Sequence, residues 1–239
     1  MEQQFDQYVS LGDNCEAGFQ FWRINYNESG IFRFVVIDSN SLINLIESDF
    51  KDLFEKENLK PASVDDMVWD TKTQVAFHSK LYSAIEPESG ERHFRNDYNF
   101  DNVYDNEKNK VEYLVNKWRE LVSSQKRVLY FIKKNQNPSR EDAEKVLRTF
   151  QSCYPAHDFL ILYIQPREFE ESCWGYERLH NIYFDFLAPY DDSQKGADIA
   201  GWDNLFAQYP LRSNVIRQQG KSIFSLKRFS NLFKSRNNH

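Results

Sequence analysis

Short apolar runs alternate with amphipathic stretches along this chain. Five runs rich in β-branched and aromatic residues are typical of strands, at 8–11, 31–37, 127–133, 159–164 and 182–187. Apolar residues recur at helical spacing in five other stretches, at 16–23, 41–54, 111–122, 139–150 and 202–206. Strands that alternate with helices predict an α/β fold with a mostly parallel sheet and helices on both of its faces.

Three further stretches add detail to this order of elements. Asp38 or Ser39 is expected to cap the helix that follows the second strand. The short apolar stretch 75–77 ends in His78. The stretch 83–106 is polar and without periodicity, so we expect an irregular surface loop there.

The composition agrees with a packed domain in a reducing compartment. Hydrophobic residues make up 41% of the 239 residues, with 20 Phe and 13 Tyr, which is enough for a sizeable core. No apolar run approaches the roughly 20 residues that span a bilayer, and the acidic N-terminus is unlike a secretory signal. Three cysteines form no disulfide framework. We therefore expect a single α/β domain over residues 1–210 in the cytoplasm, followed by a tail at 211–239.

Charge is unevenly distributed along the chain. The net charge is −6, but the segment after Asp203 contains seven basic and no acidic residues, so it carries +7 and the rest of the chain −13. The acidic body argues against binding of nucleic acid. In a helical projection of 222–236, the apolar residues except Phe224 fall on one side and the basic residues mostly on the other. This pattern predicts a helix that binds anionic lipid at the inner face of the membrane; the alternative is a helix that docks on the acidic body.

The segment Ser10-Leu11-Gly12-Asp13-Asn14-Cys15 carries the sharpest chemical signal. A strand, a small turn and a helix put Cys15 near a helix N-terminus, where the partial positive charge favours a thiolate. The N–H groups of this turn could form an oxyanion hole at the end of the first strand, where α/β proteins bind ligands. The alternative is that Cys15 is a buried free cysteine that packs as a small hydrophobic residue.

The pattern Ser-Leu-Gly-x-Asn-Cys resembles a bacterial domain family of unknown function that is described as papain-like cysteine peptidases. Further similarities to that family are an apolar strand at 31–37, the pair Phe77-His78, and a late tryptophan in Gly201-Trp202-Asp203. The resemblance covers roughly residues 5–210, although only the cysteine segment and the histidine are specific motifs.

The resemblance implies a Cys–His pair, with Cys15 as the nucleophile and His78 as the base. Members of the family often occur among surface-polysaccharide functions, which implies acyl or glycosyl transfer rather than proteolysis. The family tends to have Pro-Phe-Asp-Trp on the strand after the first helix. This chain has Ile31-Phe32-Arg33-Phe34 instead. If the Asp of the family pattern binds substrate or orients the histidine, this chain has no carboxylate at that position to do so.

Other residues complete the hypothetical site. The candidates for oxyanion or substrate binding are Gly12, Asp13, Asn14 and Arg33. The orienting carboxylate is open among Asp13, Asp101 and Asp203, and we put Asp203 forward. His180 is the second candidate for the base, and the alternative for His78 is a neutral core histidine.

The motifs that are missing narrow the chemistry. Cys153 and Cys173 lack the spacing of zinc ligands, and the chain has no P-loop, dinucleotide or Asp-x-Asp sugar-nucleotide motif, so we expect no metal and no cofactor. The first hypothesis is a Cys/His-dependent hydrolase or transferase that acts on an acyl-type bond of a glycan or another small substrate. The others are a glycosyltransferase-like enzyme of polysaccharide assembly and a non-catalytic binding or accessory module with Cys15 buried.

Overall fold

The computed structural model describes residues 4–189 and 196–212, which form a mixed α/β structure. Within these residues the strands are β1 (Gln7–Ser10), β2 (Val35–Ile37), β3 (Leu59–Pro61), β4 (Met67–Asp70), β5 (Val75–His78), β6 (Ser83–Ile85), β7 (Arg92–Phe94), β8 (Val128–Lys133), β9 (Phe159–Pro166) and β10 (Leu179–Phe184). The α-helices of the same residues are α1 (Glu16–Arg23), α2 (Ser39–Glu47), α3 (Phe100–Val122), α4 (Arg140–Cys153) and α5 (Ile199–Gln208). Short 3-10 helices lie at Lys56–Asn58 and Arg167–Phe169.

Four strands form a parallel sheet in the order β1-β8-β9-β10. The two central strands, β8 and β9, are almost entirely buried. Their uninterrupted apolar sequences suit this position, since a strand without a solvent-facing side needs no polar alternation. The predicted α/β class is therefore confirmed in its coarse form.

Alternate residues of β8 belong to two different hydrophobic clusters. Val128, Tyr130 and Ile132 pack with buried residues of α2, α3 and α4. Leu129 and Phe131 pack with buried residues of α1 and α5. This alternation follows from the pleat of a strand, which points successive side chains to opposite faces.

A second sheet, which the sequence did not predict, is antiparallel and has the order β2-β5-β4-β3. Its central pair, β4 and β5, places Met67 opposite His78. Ile37 of β2 and Phe77 of β5 belong to the same hydrophobic cluster as Val128 of the parallel sheet. The two sheets therefore share one core, and His78 lies on the sheet that was not expected.

Two predicted elements are shorter in the structure. Residues 31–34 form turns, so the predicted strand 31–37 is reduced to β2. The predicted helix 41–54 is capped by Asp38, whose Oδ1 accepts the Ser41 N–H at 2.8 Å, and it ends with α2. The turns that follow α2 contain residues with positive φ, namely Asp49, Phe50, Asp52 and Phe54. A helix cannot continue through such residues.

The predicted loop 83–106 is also partly regular. It contains the hairpin β6–β7 and the first residues of α3. Asn99 caps α3, and its Oδ1 accepts the Asn102 N–H at 3.1 Å. Among the helices that the structure describes, none is both long and apolar enough to cross a membrane. The tail segment 222–236 lies outside the described residues.

Candidate functional site

Cys15 is the N-cap residue of α1, at the helix start where the sequence predicted it. Leu11 donates its N–H to the carbonyl oxygen of Phe131 at 2.9 Å, and the chain then turns at Gly12, whose φ is 95°. A Cβ atom at Gly12 would lie 2.2 Å from Cγ2 of Ile37. Position 12 therefore requires glycine for two reasons, the left-handed backbone and the close approach of β2.

The side chain of Asn14 stabilises the end of this turn through its oxygen, while its amide nitrogen is left without a partner among the described residues. Its Oδ1 accepts the Glu16 N–H at 3.0 Å, and the residue is 2% exposed. Among the described residues, its amide nitrogen Nδ2 is buried without a hydrogen-bond partner. Such a group costs free energy and calls for an explanation.

His78 joins Cys15 to a carboxylate. The Nε2 atom of His78 is 3.6 Å from Sγ of Cys15, although the two residues are 63 positions apart in the chain. On the other side of the ring, Nδ1 is 3.4 Å from Oδ2 of Asp66. The imidazole therefore lies between a thiol and a carboxylate, and the structure brings together the two residues that the family resemblance had paired.

The sequence prediction missed Asp66, which reaches His78 through the β4–β5 hairpin. The register of the hairpin places Met67 opposite His78, and the Ser79 N–H donates to the Asp66 carbonyl at 2.8 Å. A signal for this contact was present. Two short strand-like runs, 67–70 and 75–78, are separated by a few residues, as in a hairpin.

The two neighbours of His78 raise its pKa from 6.5 to about 9. The hydrogen bond to Asp66 is the largest cause and the contact with Cys15 is the next, while partial burial acts in the opposite direction. His78 is therefore protonated at neutral pH. A positively charged neighbour favours the thiolate form of a cysteine, which is the reactive form.

The residue that follows the cysteine, Glu16, is fully buried and saturated with partners. Its Oε1 accepts the indole N–H of Trp202 at 2.9 Å, and its Oε2 accepts the Ala188 N–H at 2.9 Å. Nζ of Lys133, which is 1% exposed, lies 3.1 Å from Glu16 Oε2 and 4.0 Å from Asp13 Oδ2. Buried charges persist only when they are paired and hydrogen-bonded. This set of contacts therefore holds the turn and the start of α1 against β8 and α5.

Arg33, which the sequence put forward for oxyanion or substrate binding, is buried among backbone carbonyls. It donates to the carbonyl oxygens of Glu28 at 2.6 Å, Tyr26 at 2.9 Å and Gly18 at 3.2 Å. Burial lowers its pKa to about 10. These contacts tie the turns 26–33 to α1, and an Asp at position 33 could not make them because a carboxylate donates no hydrogen bond. A substrate contact of Arg33 stays a prediction.

Asp203 does not contact His78, which corrects the choice made from the sequence. Its Oδ1 is 2.6 Å from Arg23 NH2 on the protein surface. Asp101, another of the three candidates, forms an ion pair with Lys56. The carboxylate beside the imidazole comes from the β4–β5 hairpin instead, because the register of that hairpin places it there.

The second candidate base, His180, lies in a different environment. Its Nδ1 is 2.9 Å from the hydroxyl of Tyr209, and burial lowers its pKa. His157 is similar, since its Nε2 is 2.9 Å from the Tyr130 hydroxyl and burial lowers its pKa to about 4. Both histidines are therefore neutral at pH 7, in contrast to His78.

A cavity of about 310 Å³ opens beside His78. Its walls come from the end of α1, the turns before β2, the end of β5 and one side of α3. Most of its lining is apolar, with Trp22, Phe34, Phe54, Phe77, Val111 and Leu114. Within residues 4–189 and 196–212, no group of three His, Cys, Asp or Glu side chains is arranged to hold a metal ion.

A cysteine at a helix N-terminus, an imidazole and a carboxylate behind the ring are the elements of a Cys–His–Asp site, here on an α/β scaffold. The chain belongs to the family described as "putative papain-like cysteine peptidase" (DUF1796), whose model matches residues 6–167. No curated protein and no solved structure gives a significant match. The family match includes Cys15, Asp66 and His78, and it ends before Trp202.

Proposed function

We propose that this protein is a Cys/His-dependent acyl-transfer enzyme, a hydrolase or a transferase, with Cys15 as its nucleophile. The proposal is based on the arrangement of Cys15, His78 and Asp66. The distance from Cys15 Sγ to His78 Nε2 is 3.6 Å, and that from His78 Nδ1 to Asp66 Oδ2 is 3.4 Å. His78 transfers the proton. Asp66 orients the imidazole and stabilises its positive charge.

The reaction has two acyl transfers. The Cys15 thiolate attacks the carbonyl carbon, a C–S bond forms, and an electron pair moves onto the carbonyl oxygen. When this intermediate collapses, the bond to the leaving group breaks and protonated His78 gives its proton to the leaving atom. Neutral His78 then takes a proton from water or from a hydroxyl acceptor, whose oxygen attacks the thioester. The C–S bond breaks, the acyl product leaves, and the thiolate and the imidazolium are restored.

The oxyanion of each intermediate needs preorganised donors. The amide nitrogen of Asn14, buried and without a partner among the described residues, supports an assignment of this role to Asn14. The N-terminus of α1 adds backbone N–H groups and a partial positive charge. Gly12 and Asp13, both at positive φ, shape the turn that brings these donors together.

On this proposal the nucleophile stands beyond the carboxyl end of β1, and helices cover both faces of the parallel sheet. The two hydrophobic clusters that share β8 support the arrangement, since α3 and α4 contribute to one and α1 and α5 to the other. Ligands of open α/β sheets bind at this end of the strands.

A glycan or a glycan precursor as the acyl acceptor, in surface-polysaccharide biosynthesis, is proposed from the resemblance alone. A position at the inner face of the cytoplasmic membrane is proposed from the charge of the tail after Asp203. The acyl-transfer chemistry depends on neither of these.

Acetylation by p-nitrophenyl acetate tests the nucleophile. We expect an acetyl group on Cys15 in peptide mass spectrometry, and loss of turnover in Cys15→Ser and in His78→Ala with unchanged circular dichroism. Cys153→Ser is the control, because partial burial and the Glu47 carboxylate raise the pKa of the Cys153 thiol. Acetylation confined to Cys153 or Cys173 contradicts the proposal.

The burial of Cys15, which is 6% exposed, favours a second candidate, a non-catalytic binding module in which this thiol only fills space. Iodoacetamide at neutral pH distinguishes the two. A thiolate paired with His78 reacts faster than the exposed Cys153 and Cys173, and His78→Ala slows it. An inert buried thiol reacts more slowly than both, with or without His78.

A further inference from the structure

The face of α1 that begins at Cys15 continues into an aromatic wall formed by Phe19, Trp22 and Phe34. Phe19 follows Cys15 by one helical turn and Trp22 follows it by two, so the side chains of Cys15, Phe19 and Trp22 lie on the same face of α1. The ring centroids of Phe34 and Trp22 are 4.6 Å apart, and that of Phe19 lies 5.6 Å from Phe34 and 5.7 Å from Trp22. A Cβ atom at Gly18 would lie 2.5 Å from Phe34 Cε1, so this ring rests on the helix one turn from the thiol.

Two residues of the aromatic wall, Trp22 and Phe34, also line the cavity of about 310 Å³, and so does His78. The cavity therefore begins at the imidazole of the candidate site. Trp22 is 46% exposed, although an indole ring gains free energy when it is covered. A substrate whose carbonyl carbon lies against Cys15 Sγ would extend from there along this wall.

The charged groups of the lining have partners inside the protein. The Glu107 carboxylate is 5% exposed and lies 3.4 Å from Nζ of Lys110, and Arg33 donates to backbone carbonyls. The remaining side chains of the lining are mostly apolar, with Val111 and Leu114 on the side of α3. An occupant of this cavity therefore gains free energy by burying apolar surface rather than by forming hydrogen bonds.

We propose that this cavity binds an apolar acyl chain of medium length, whose carbonyl carbon is the one that Cys15 attacks; this inference rests on the proposed function. An apolar cavity of about 150 Å³ holds a benzene ring. The volume of about 310 Å³ therefore has room for a larger apolar group, such as a hexanoyl or octanoyl chain. The cavity selects the acyl donor, and it leaves the choice of acceptor open.

A series of p-nitrophenyl esters, from acetate through butyrate, hexanoate and octanoate to dodecanoate, tests the proposal in the full-length protein. Each methylene group that enters the cavity should raise kcat/KM about fourfold, until the cavity is full. We therefore expect a maximum near hexanoate or octanoate. A value of kcat/KM that stays constant or falls from acetate onwards overturns the inference.

Two variants and a matched control show whether the chain enters this cavity. Gly30 lines the cavity, and a Cβ atom there meets nothing within 4 Å, so Gly30→Phe starts from an unobstructed Cβ position and adds a ring at the cavity wall. It should lower the ratio of octanoate to acetate kcat/KM at least about tenfold, and Leu114→Ala should shift the optimum to longer chains. Glu112→Phe adds the same ring to an exposed position of α3. Equal ratios in Gly30→Phe and Glu112→Phe overturn the inference.

A binding measurement separates failure of the cavity from failure of the enzyme. Titration calorimetry of Cys15→Ala with octanoate should show binding, and Gly30→Phe in the same background should weaken it. If octanoate binds in this way but the native protein hydrolyses no ester, the cavity is a binding site for apolar chains and the proposed function fails. If acetate and octanoate esters are hydrolysed equally well through Cys15, the proposed function stands and the inference fails.

Discussion

At the scale of single residues, Asp66 determines the charge of the imidazole at the candidate site. Its hydrogen bond is the largest cause of the raised pKa of His78, which is about 9. Asp66→Asn keeps the shape of the side chain and removes its charge, so we expect the pKa of His78 to fall towards 6.5. Titration of the His78 ring protons by NMR measures this directly, and the alkaline limb of the activity profile should move to lower pH with it.

The raised pKa of His78 also makes the free energy of unfolding depend on pH. Folding favours the protonated form of His78, so the stabilising contribution is complete below about pH 6.5 and is lost as the pH rises through about 9. Asp66→Asn should weaken this dependence. Asp65→Asn is the matched control, because Asp65 pairs with Arg92 and not with the imidazole. An equal pKa of His78 in the two variants would contradict the role of Asp66.

Gly12 gives a prediction about the geometry of the turn. Gly12→Ala meets both a left-handed φ of 95° and a contact of 2.2 Å with Cγ2 of Ile37. Gly90 has a φ of 73° but open space around its Cβ position, so Gly90→Ala meets only the backbone strain of about 1–2 kcal/mol. We expect Gly12→Ala to cost about 1–3 kcal/mol more than this control. Urea denaturation of both variants measures the difference, and equal losses would refute the steric argument.

The residues of the site differ in how far the sequence alone could predict them. Cys15 depends on local signals, a turn followed by a helix, and the resemblance supplied His78. Asp66 depends on the register of a hairpin, which brings positions 66 and 78 together only after β4 and β5 have paired. The orienting carboxylate was open among Asp13, Asp101 and Asp203, and no local pattern indicates that Asp203 pairs with Arg23 at the end of α1 while Trp202 contacts Glu16 at its start.

At the scale of elements, one of the contacts between α5 and α1 is the hydrogen bond from the Trp202 indole to the buried Glu16 carboxylate. Trp202→Phe removes the donor from Glu16 Oε1, and a hydrogen bond to a charged group is worth about 1.5–3 kcal/mol. Trp118→Phe is the matched control, because Trp118 is also buried but donates to a neutral hydroxyl, that of Tyr154, at 2.9 Å. We expect Trp202→Phe to lower the free energy of unfolding by about 1 kcal/mol more than Trp118→Phe.

A double-mutant cycle ties this effect to the charge. In the Glu16→Gln background, Trp202→Phe should cost less than in the native protein, because the acceptor is no longer ionised. Urea denaturation with an unchanged slope gives each free energy. Additive losses from the two substitutions would show that the indole contributes through packing alone.

Elements were predictable where their pattern is local. The buried strands β8 and β9 follow from their uninterrupted apolar sequences, and α4 and the second half of α3 follow from helical periodicity. Residues 31–34 have the composition of a strand, but the buried guanidinium of Arg33 needs carbonyl acceptors, and turns supply them. The antiparallel sheet escaped prediction because its strands contain only three or four residues each, too few to show a period of two.

At the scale of the whole molecule, the family match and the structure have different extents. The match ends at residue 167, whereas β10 and α5 lie beyond it. β10 completes the parallel sheet, and Ala188 and Trp202 bind Glu16 next to the proposed nucleophile. The buried carboxylate next to the proposed nucleophile therefore has partners in a segment that lies beyond the matched residues.

The most basic part of the chain gives a prediction that lies outside the described residues. The segment after Asp203 carries +7 against −13 for the rest, and the apolar residues of 222–236 other than Phe224 fall on one side of a helical projection. If the tail only docked on the acidic body, its positive charge would be sufficient and the apolar side of the projection would not be required. The aromatic and aliphatic residues opposite the basic ones favour a membrane surface, because each basic residue near anionic lipid contributes about 1 kcal/mol and buried apolar side chains add to it.

We therefore expect full-length protein to co-sediment with anionic vesicles at low salt, to be released by high salt, and to ignore neutral vesicles. A chain that ends at Gly220 should fold normally and stay in the supernatant. A full-length variant with Lys227, Arg228, Lys234 and Arg236 changed to Gln separates the two contributions, since it keeps every apolar residue and loses the electrostatic attraction. If native protein remains in the supernatant with anionic vesicles at low salt, docking of the tail on the acidic body becomes the better account.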